Sequence, residues 1–339
     1  MSTMIFWRSL IIKMFTVIPY TPSRCNEWNA FVAQSKNGTF LFDRRYMDYH
    51  ADRFNDCSLM VYDRKGRLFA LLPANRVEEV AYTHQGLTYG GLILLPKATA
   101  VDVCEAMMTI GDYLRSLGVV RVIYKAVPWI YMAMPADEPL YALSEVCHAR
   151  LVSRDIASVV NMHCRPSCSE LRVRGKKKAM RHGIRIDYSD DFASFWDILT
   201  DNLKTKYGAK PVHTLDEILL LRNRFPRNIL LCAAFEETTM VAGTVLYLTP
   251  RVVKTQYISA SPRGKELCAL DLLFMHLLSS PPTLAAVPGA SPSGISIPQY
   301  LDMGTSAMDH STELKRPLIF QKEGFGARAV CYDTYEWTL

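Results

Sequence analysis

Apolar residues fall in short runs separated by turn residues, and the same succession of runs occurs twice along the chain. In the first half SLMVYD (58–63) reads as a strand, DRKG as a turn, LFALLPANRV (68–77) as a second strand and VAYTHQGLTYGGLIL (80–94) as a third. Val103, Met107, Ile110, Leu114 and Leu117 then recur at helical spacing, Gly118 supplies a stop, and VVRVIYKAV (119–127) returns as a strand. In the second half NILLCAAF (228–235), MVAGTVLYL (240–248) and VVKTQYISA (252–260) are the strands. Leu267, Leu270, Phe274 and Leu277 mark the helix, and SGISIPQYLDMG (293–304) is the returning strand. The two halves share this order without sharing sequence.

Strands joined by tight turns are antiparallel neighbours, whereas a helical crossover makes the next strand parallel to the one before it. The pattern therefore predicts two mixed α/β lobes, spanning 14–150 and 187–339, joined by a linking strand and helix over 151–186. A length of 339 residues fits two domains at roughly 100 to 200 residues each. In such sheets phosphate favours the start of the crossover helix, where free N–H groups and the helix dipole converge.

The linker SCSELRVRGKKKAMRHGIRIDY (167–188) reads as a helix, with Ser167 and Glu170 at capping-box spacing and Gly183 as its stop. Seven Arg or Lys residues and no acid lie between Leu171 and Arg185. Leu171, Gly175 and Ala179 give only a narrow apolar stripe, so the basic surface faces solvent or an anionic partner. Phe192, Phe195, Trp196 and Leu199 repeat at helical spacing and read as core, and Thr214 caps a further helix over HTLDEILLLRNRFP (213–226). SSPPTLAAVPGASPSGISIP (279–298), with five prolines and two glycines, reads as an exposed loop.

Composition changes little in this picture. With 49% hydrophobic and 21% charged residues the chain is globular, and its net charge of +6 is compatible with an anionic ligand. Nine cysteines without repeated spacing point to reduced thiols in a cytoplasmic protein. HCRPSC (163–168) has too loose a spacing for a zinc site, and no metal is expected. The apolar start is broken by Arg8 and Lys13 and is too short to span a bilayer, so neither a membrane span nor a signal peptide is expected; Met14 offers an alternative start to Met1.

Several stretches together carry a resemblance: the element order of each half, THQGLTYGG (83–91), the linker helix from Ser167 to Ile186, LDMGTS (301–306) and FQKEGFGARAVCYDTYEW (320–337). They resemble the Fem-type branch of the GNAT superfamily, two-lobed acyltransferases and cell-wall peptidyltransferases. The resemblance implies two tandem GNAT-like lobes packed about a shared cleft, with a late helix ending at Gly324–Phe325 and a last strand running back beside the acyl-donor cleft. It implies an N-acyltransferase that moves an acyl group from acyl-CoA to an amine acceptor such as a sugar nucleotide or cell-envelope precursor. The alternative is an aminoacyl-tRNA-dependent peptidyltransferase. Acetyl-CoA-dependent relatives carry a glycine-rich pyrophosphate loop before the central helix. Here that place reads SPRGKELCA (261–269), with Gly264 flanked by Arg263 and Lys265 but the wrong glycine spacing, and LPKATAV (95–101) in the first half departs further.

Direct attack of an amine on a thioester or ester needs an oxyanion stabiliser and a route for the proton. The matching lysine, Lys322, is expected to face the substrate cleft, with Tyr257 as a hydroxyl on the strand lining it and Asp302 as base or amine positioner. Lys178, Arg181, Arg263 and Lys265 are the phosphate-binding candidates. A non-catalytic nucleotide- or RNA-binding protein is a further alternative, although the basic helix lacks interleaved aromatics. The sequence assigns neither the acceptor nor an oligomeric state.

Overall fold

A computed structural model describes residues 14–284, 298–306 and 314–339. The chain divides into two compact units, one made of residues up to Arg154 with Tyr332–Leu339, the other of Asp155–Cys331. The sequence reading assigns the whole of 187–339 to the second lobe; in the structure the stretch from Tyr332 goes instead to the first unit.

The first unit runs β1 (Phe15–Pro19), α1 (Cys25–Gln34), α2 (Arg44–Met47), β2 (Asn55–Asp56), β3 (Leu59–Asp63), β4 (Leu68–Leu72), β5 (Asn75–Val77), β6 (Val80–Tyr82), β7 (Ile93–Leu94), α3 (Ala100–Ser116), β8 (Arg121–Lys125) and α4 (Glu138–Tyr141). Its strands form two groups, β1-β3-β4-β7 and β8-β6-β5-β2. β8 is parallel to β6, as a crossover through α3 requires.

The second and third expected strands are each divided between these groups. Pro73 has no N–H for a ladder, and the chain pivots beside it: Ala74 N donates to Ser58 Oγ at 3.1 Å and Ala74 O accepts from Cys57 N at 3.0 Å. The loop after β6 doubles back so closely that a Cβ on Gly90 would lie 1.4 Å from Thr83 O. Along α3, Val103, Met107, Ile110 and Leu114 are buried, while Leu117, expected on the same face, ends the helix and is exposed.

The second unit runs β9 (Arg150–Asn161, its part from Asp155), α5 (Glu170–Arg181), β10 (Arg185–Ser189), α6 (Phe192–Tyr207), α7 (Leu215–Arg224), β11 (Ile229–Glu236), β12 (Thr239–Leu248), β13 (Val252–Ala260), α8 (Pro262–Glu266), α9 (Ala269–Ser279), β14 (Tyr300–Thr305), α10 (Arg316–Glu323) and β15 (Arg328–Thr338, its part up to Cys331). Its sheet has the order β10-β11-β12-β13-β14-β9, with β13 and β14 parallel. From Thr334 onward β15 pairs antiparallel with β8 of the first unit, to which those residues belong. The Pro/Gly/Ser-rich stretch expected as a loop lies mostly outside the described residues.

Helix α6 buries Phe192, Phe195, Trp196 and Leu199 against the sheet, where Gly243 admits the Phe195 ring. Helix α5 packs on α9 through Gly175, where a Cβ would stand 1.8 Å from Asp271 Oδ2, and through an Arg172–Asp271 ion pair at 2.6 Å. Leu171, expected in that stripe, is exposed; the guanidinium of Arg172 takes its place. The N-cap of α5 is Ser169, not Ser167; its side chain makes no capping bond, and its N–H is held by Gly324 O at 2.8 Å.

Gly324 is the C-cap of α10, where the helix is expected to end, though without a left-handed turn. It keeps a helical φ, and the turn is made by Gly326 at φ +88°, where a Cβ would meet Pro166 O at 2.6 Å. Phe325 between them is fully buried against Phe274.

Candidate functional site

The crossover pair β13 and β14 is hydrogen-bonded over a short length only. Val252, Val253 and Lys254 pair with Tyr300, Leu301 and Asp302, and there the ladder stops. Beyond it β13 continues to Ala260 alongside β12, but with a bulge: Val245 faces Tyr257 and Leu246 faces Thr255, which leaves Gln256 as the extra residue. A bulge bends the strand that carries it. β14 is irregular at the same level, shifting register against β9 between Asp302 and Thr305 with Gly304 at φ +76°. The two strands therefore part into a wedge at Lys254 and Asp302.

Three charges meet at its apex. Asp302 is fully buried; its Oδ2 lies 3.4 Å from Lys254 Nζ and its Oδ1 accepts from Gly304 N at 2.8 Å. Lys322, also buried, reaches from α10 and donates to Gly304 O at 2.8 Å, Thr305 O at 3.0 Å and Ser306 Oγ at 2.9 Å. An ammonium has three donors, and all three are taken by the chain. Burial lowers its pKa to about 8, opposed by the carboxylate of Asp302 and reinforced by Lys254. Two lysines and one aspartate leave the apex one positive charge in excess, and in a low-dielectric site that favours negative charge developing nearby.

On β13 past the apex, Tyr257 packs edge-on against Trp196 and His213. Its hydroxyl accepts from His213 N at 3.3 Å and is in close contact with His213 Nδ1. Burial pushes this phenol up to about 12, so it is protonated at neutral pH. The loop that brings in His213 is fixed on both sides: Trp196 Nε1 donates to His213 O at 3.2 Å, and the next residue opens α7 with a full Thr214–Glu217 capping box. Asn202 of α6 ties down the end of β13 through Ser259 Oγ and Ala260 O.

The structure thus gathers Lys322 and Asp302 at the apex and sets Tyr257 further along β13. The phosphate candidates are elsewhere engaged or apart. Arg263 grips Glu236 with two nitrogens, at 2.9 and 2.6 Å, and also pairs with Glu266. Lys265 bonds to Asn202. Gly264 is explained by packing, since a Cβ would fall 2.1 Å from Val241 O. Lys178 and Arg181 lie on α5 and make no ion pair among the described residues. Of HCRPSC, Cys168 Sγ contacts Phe325 O at 3.8 Å; among the described residues no group of three metal-ligating side chains assembles. No helix among the described residues is long and apolar enough to cross a membrane.

Sequence reasoning missed Lys254, His213 and Gln256. Lys254 left one trace, a single charge in the otherwise apolar run VVKTQYISA. His213 read only as the residue before a helix cap, and the bulge at Gln256 depends on a cross-strand register that no single strand displays.

No family model matches the chain, and no curated protein matches it in sequence. Solved structures do match in fold. FemX superposes with a TM-score of 0.66 at 9% identity, over 96% of this chain and 97% of that one. The C-terminal domain of a putative lysylphosphatidylglycerol synthetase from Agrobacterium fabrum gives 0.58 at 10% identity, over 94% and 92%. A tandem GNAT protein from the clavulanic acid biosynthesis pathway gives 0.51 at 8% identity, over 95% and 98%. The fold is the Fem-type, two-lobed GNAT-like arrangement of mixed α/β sheets.

Proposed function

We propose that this protein is an acyltransferase that passes an acyl group from a donor seated in the β13–β14 wedge to an amine acceptor, a small molecule or a cell-wall precursor. The observation that carries this reading is the wedge itself, a parallel pair that parts beside a bulge and ends in a buried, net-positive apex. The likeness in fold to FemX and to a tandem GNAT protein supports it. The neutral amine attacks the donor carbonyl directly, and the oxyanion that forms is stabilised by the positive charge of Lys254 and Lys322, which exceeds the negative charge of Asp302 by one. Tyr257 supplies a hydroxyl on the strand beside the reacting groups. The acyl–sulfur or acyl–oxygen bond then breaks to leave the amide, and the proton lost by the amine is taken up by the departing thiolate or alkoxide, which leaves as the free thiol or alcohol. The nine unpaired cysteines suit a cytoplasmic setting.

Acyl-CoA is the first donor to test. A second donor, aminoacyl-tRNA, is favoured by one observation: Arg263 and Lys265 are held by the chain's own side chains, while Lys178 and Arg181 on α5 are not. The experiment is a thermal-shift comparison of acyl-CoAs, aminoacyl-tRNA and sugar nucleotides, followed by transfer of a labelled acyl group from whichever donor stabilises the protein. Stabilisation by none of them would remove the reading.

A further inference from the structure

The stretch THQGLTYGG (83–91) belongs to the first unit and forms the loop after β6, where Gly86 stands between two buried imidazoles. Gly86 O meets His50 Nε2 at 3.4 Å, and Gly86 N donates to His84 Nδ1 at 3.2 Å. A carbonyl oxygen only accepts and a peptide N–H only donates, so His50 carries a proton on Nε2 and His84 has none on Nδ1. The two rings are 12° from parallel with centroids 5.6 Å apart, and the Phe54 ring closes the cluster edge-on to both, at 4.8 and 5.2 Å. The fit is tight. A Cβ on Gly86 would lie 2.3 Å from His50 Nε2 and 2.7 Å from Phe54 Cε2. His50 and Phe54 belong to the turn after α2, whose tip at 51–53 is exposed, so the cluster joins that turn to the loop after β6. The loop has further ties that do not titrate near neutrality: Gln85 exchanges two bonds with Asn75 of β5, each 2.8 Å, and Leu87 O accepts from Lys125 Nζ of β8 at 3.3 Å.

We propose that this cluster is a proton-controlled latch, in which uptake of a proton by either imidazole releases the turn 48–54 from the loop 84–87. It does not depend on the acyltransferase reading. A proton on His84 Nδ1 would set donor against donor at Gly86 N, and a charge on either ring would be buried against the other. Asp52 of the turn and Asp56 of β2 favour the charged rings, whereas Arg53 of the turn, Arg44 of α2 and Lys125 of β8 oppose them. Burial outweighs these charges. It is the chief cause that holds His84 down to about 4, with the facing His50 ring next, and it lowers His50 from its ordinary 6.5 as well. In the released turn and loop both rings return towards 6.5, so from there down to about 4 the open form binds more protons than the closed one. The latch weakens as the pH falls through that window.

The test is amide hydrogen exchange of the full chain at pH 7, 6 and 5, corrected for the intrinsic pH dependence of exchange, with the buried strand β12 of the second unit as the internal reference. From pH 7 to 5 the opening constant of residues 48–54 and 84–87 should rise by about 10-fold or more, while β12 stays level. The double variant His50→Gln, His84→Asn offers Gly86 a carboxamide donor and a carboxamide acceptor that do not titrate, and its rise should shrink to less than about 2-fold. A wild type whose two segments do not respond, a rise that includes β12 equally, or a double variant as steep as the wild type would each overturn the latch. If the double variant does not fold, the ring nitrogen shifts of the isotope-labelled wild type at pH 5.5 decide instead. A neutral His84 with its proton on Nε2 supports the latch, and a charged His84 at that pH overturns it.

Discussion

Lys322 Nζ donates to the main-chain oxygen of Gly304 at 2.8 Å, fastening α10 to the irregular end of β14. Thr305 O and Ser306 Oγ complete the set, so the lysine shapes the wall of the wedge as well as charging it. Lys322→Met removes the donor for three acceptors at once. The expected cost is about 2–3 kcal/mol or more, since buried acceptors lose their partners, and urea unfolding measures it. In a transfer assay the same variant should lose roughly 100-fold or more in turnover, through the lost charge at the apex. Wild-type stability would mean that the clamp contributes nothing.

The same lysine sets a pH dependence. Its pKa falls from 10.5 to about 8 on folding, chiefly through burial, so between those values the unfolded chain binds more protons than the folded one. Stability contributed by this group therefore rises with pH across the window from about 8 to 10.5, by on the order of 3 kcal/mol, and is lowest where the ammonium must be buried charged. Above about 10 the buried phenols act in the opposite sense: Tyr257, pushed up to about 12, holds its proton longer when folded. Unfolding free energies measured from pH 7 to 10 should climb more steeply in the wild type than in Lys322→Met. Parallel curves would show that the ammonium is not desolvated.

How much of this was legible in the sequence depends on the range of the interaction. Helices α3 and α6 were plain, because their buried residues recur every three or four positions, a local signal. The parallel crossovers followed from chain order alone. The division of the 68–77 strand was not readable, although Pro73 marks it, because periodicity says nothing about which neighbour a strand joins. At the candidate site Lys322 stood out as a lysine beside Gly-Phe-Gly, but its partners lie across the fold at 304–306. That α10 ends at Gly324 was readable, but the left-handed turn at Gly326 was not, for the same reason: Pro166 O, against which Gly326 presses, arrives from the segment before α5.

The different parts of the two glycines can be checked directly. Gly326→Ala forces a left-handed φ on an L residue and drives its Cβ onto a backbone oxygen, whereas Gly324→Ala keeps a helical φ and meets the side chains of Arg172 and Ser169 at 3.1 Å. The first should cost more than about 1 kcal/mol and the second less than the first, in chemical denaturation of the two variants. Equal costs would contradict the assignment.

The two candidate donors make opposite demands on the basic residues, and this separates them. Arg263 is bound to Glu236 and Glu266, and to meet a pyrophosphate it would have to release both carboxylates. On α5 the side chains of Lys176, Lys177, Lys178 and Arg181 need release nothing comparable, because none of them makes an ion pair among the described residues. Changing these four to Gln should leave the melting temperature nearly unchanged, since only Gly175 and Ala179 of this helix are buried. If the donor is aminoacyl-tRNA, that variant should bind it more weakly and with a shallower salt dependence, because each lost phosphate contact lowers the slope of affinity against salt by about one. If the donor is acyl-CoA, its short run of phosphates should be nearly indifferent to the four changes and respond instead to Arg263→Gln. The Arg263 change would also free Glu236 and so cost binding through an exposed, unbalanced carboxylate beside the ligand. Salt titrations of both variants with both donors decide the matter, and a quadruple variant that binds tRNA and acyl-CoA like the wild type would return the basic face of α5 to a solvated surface.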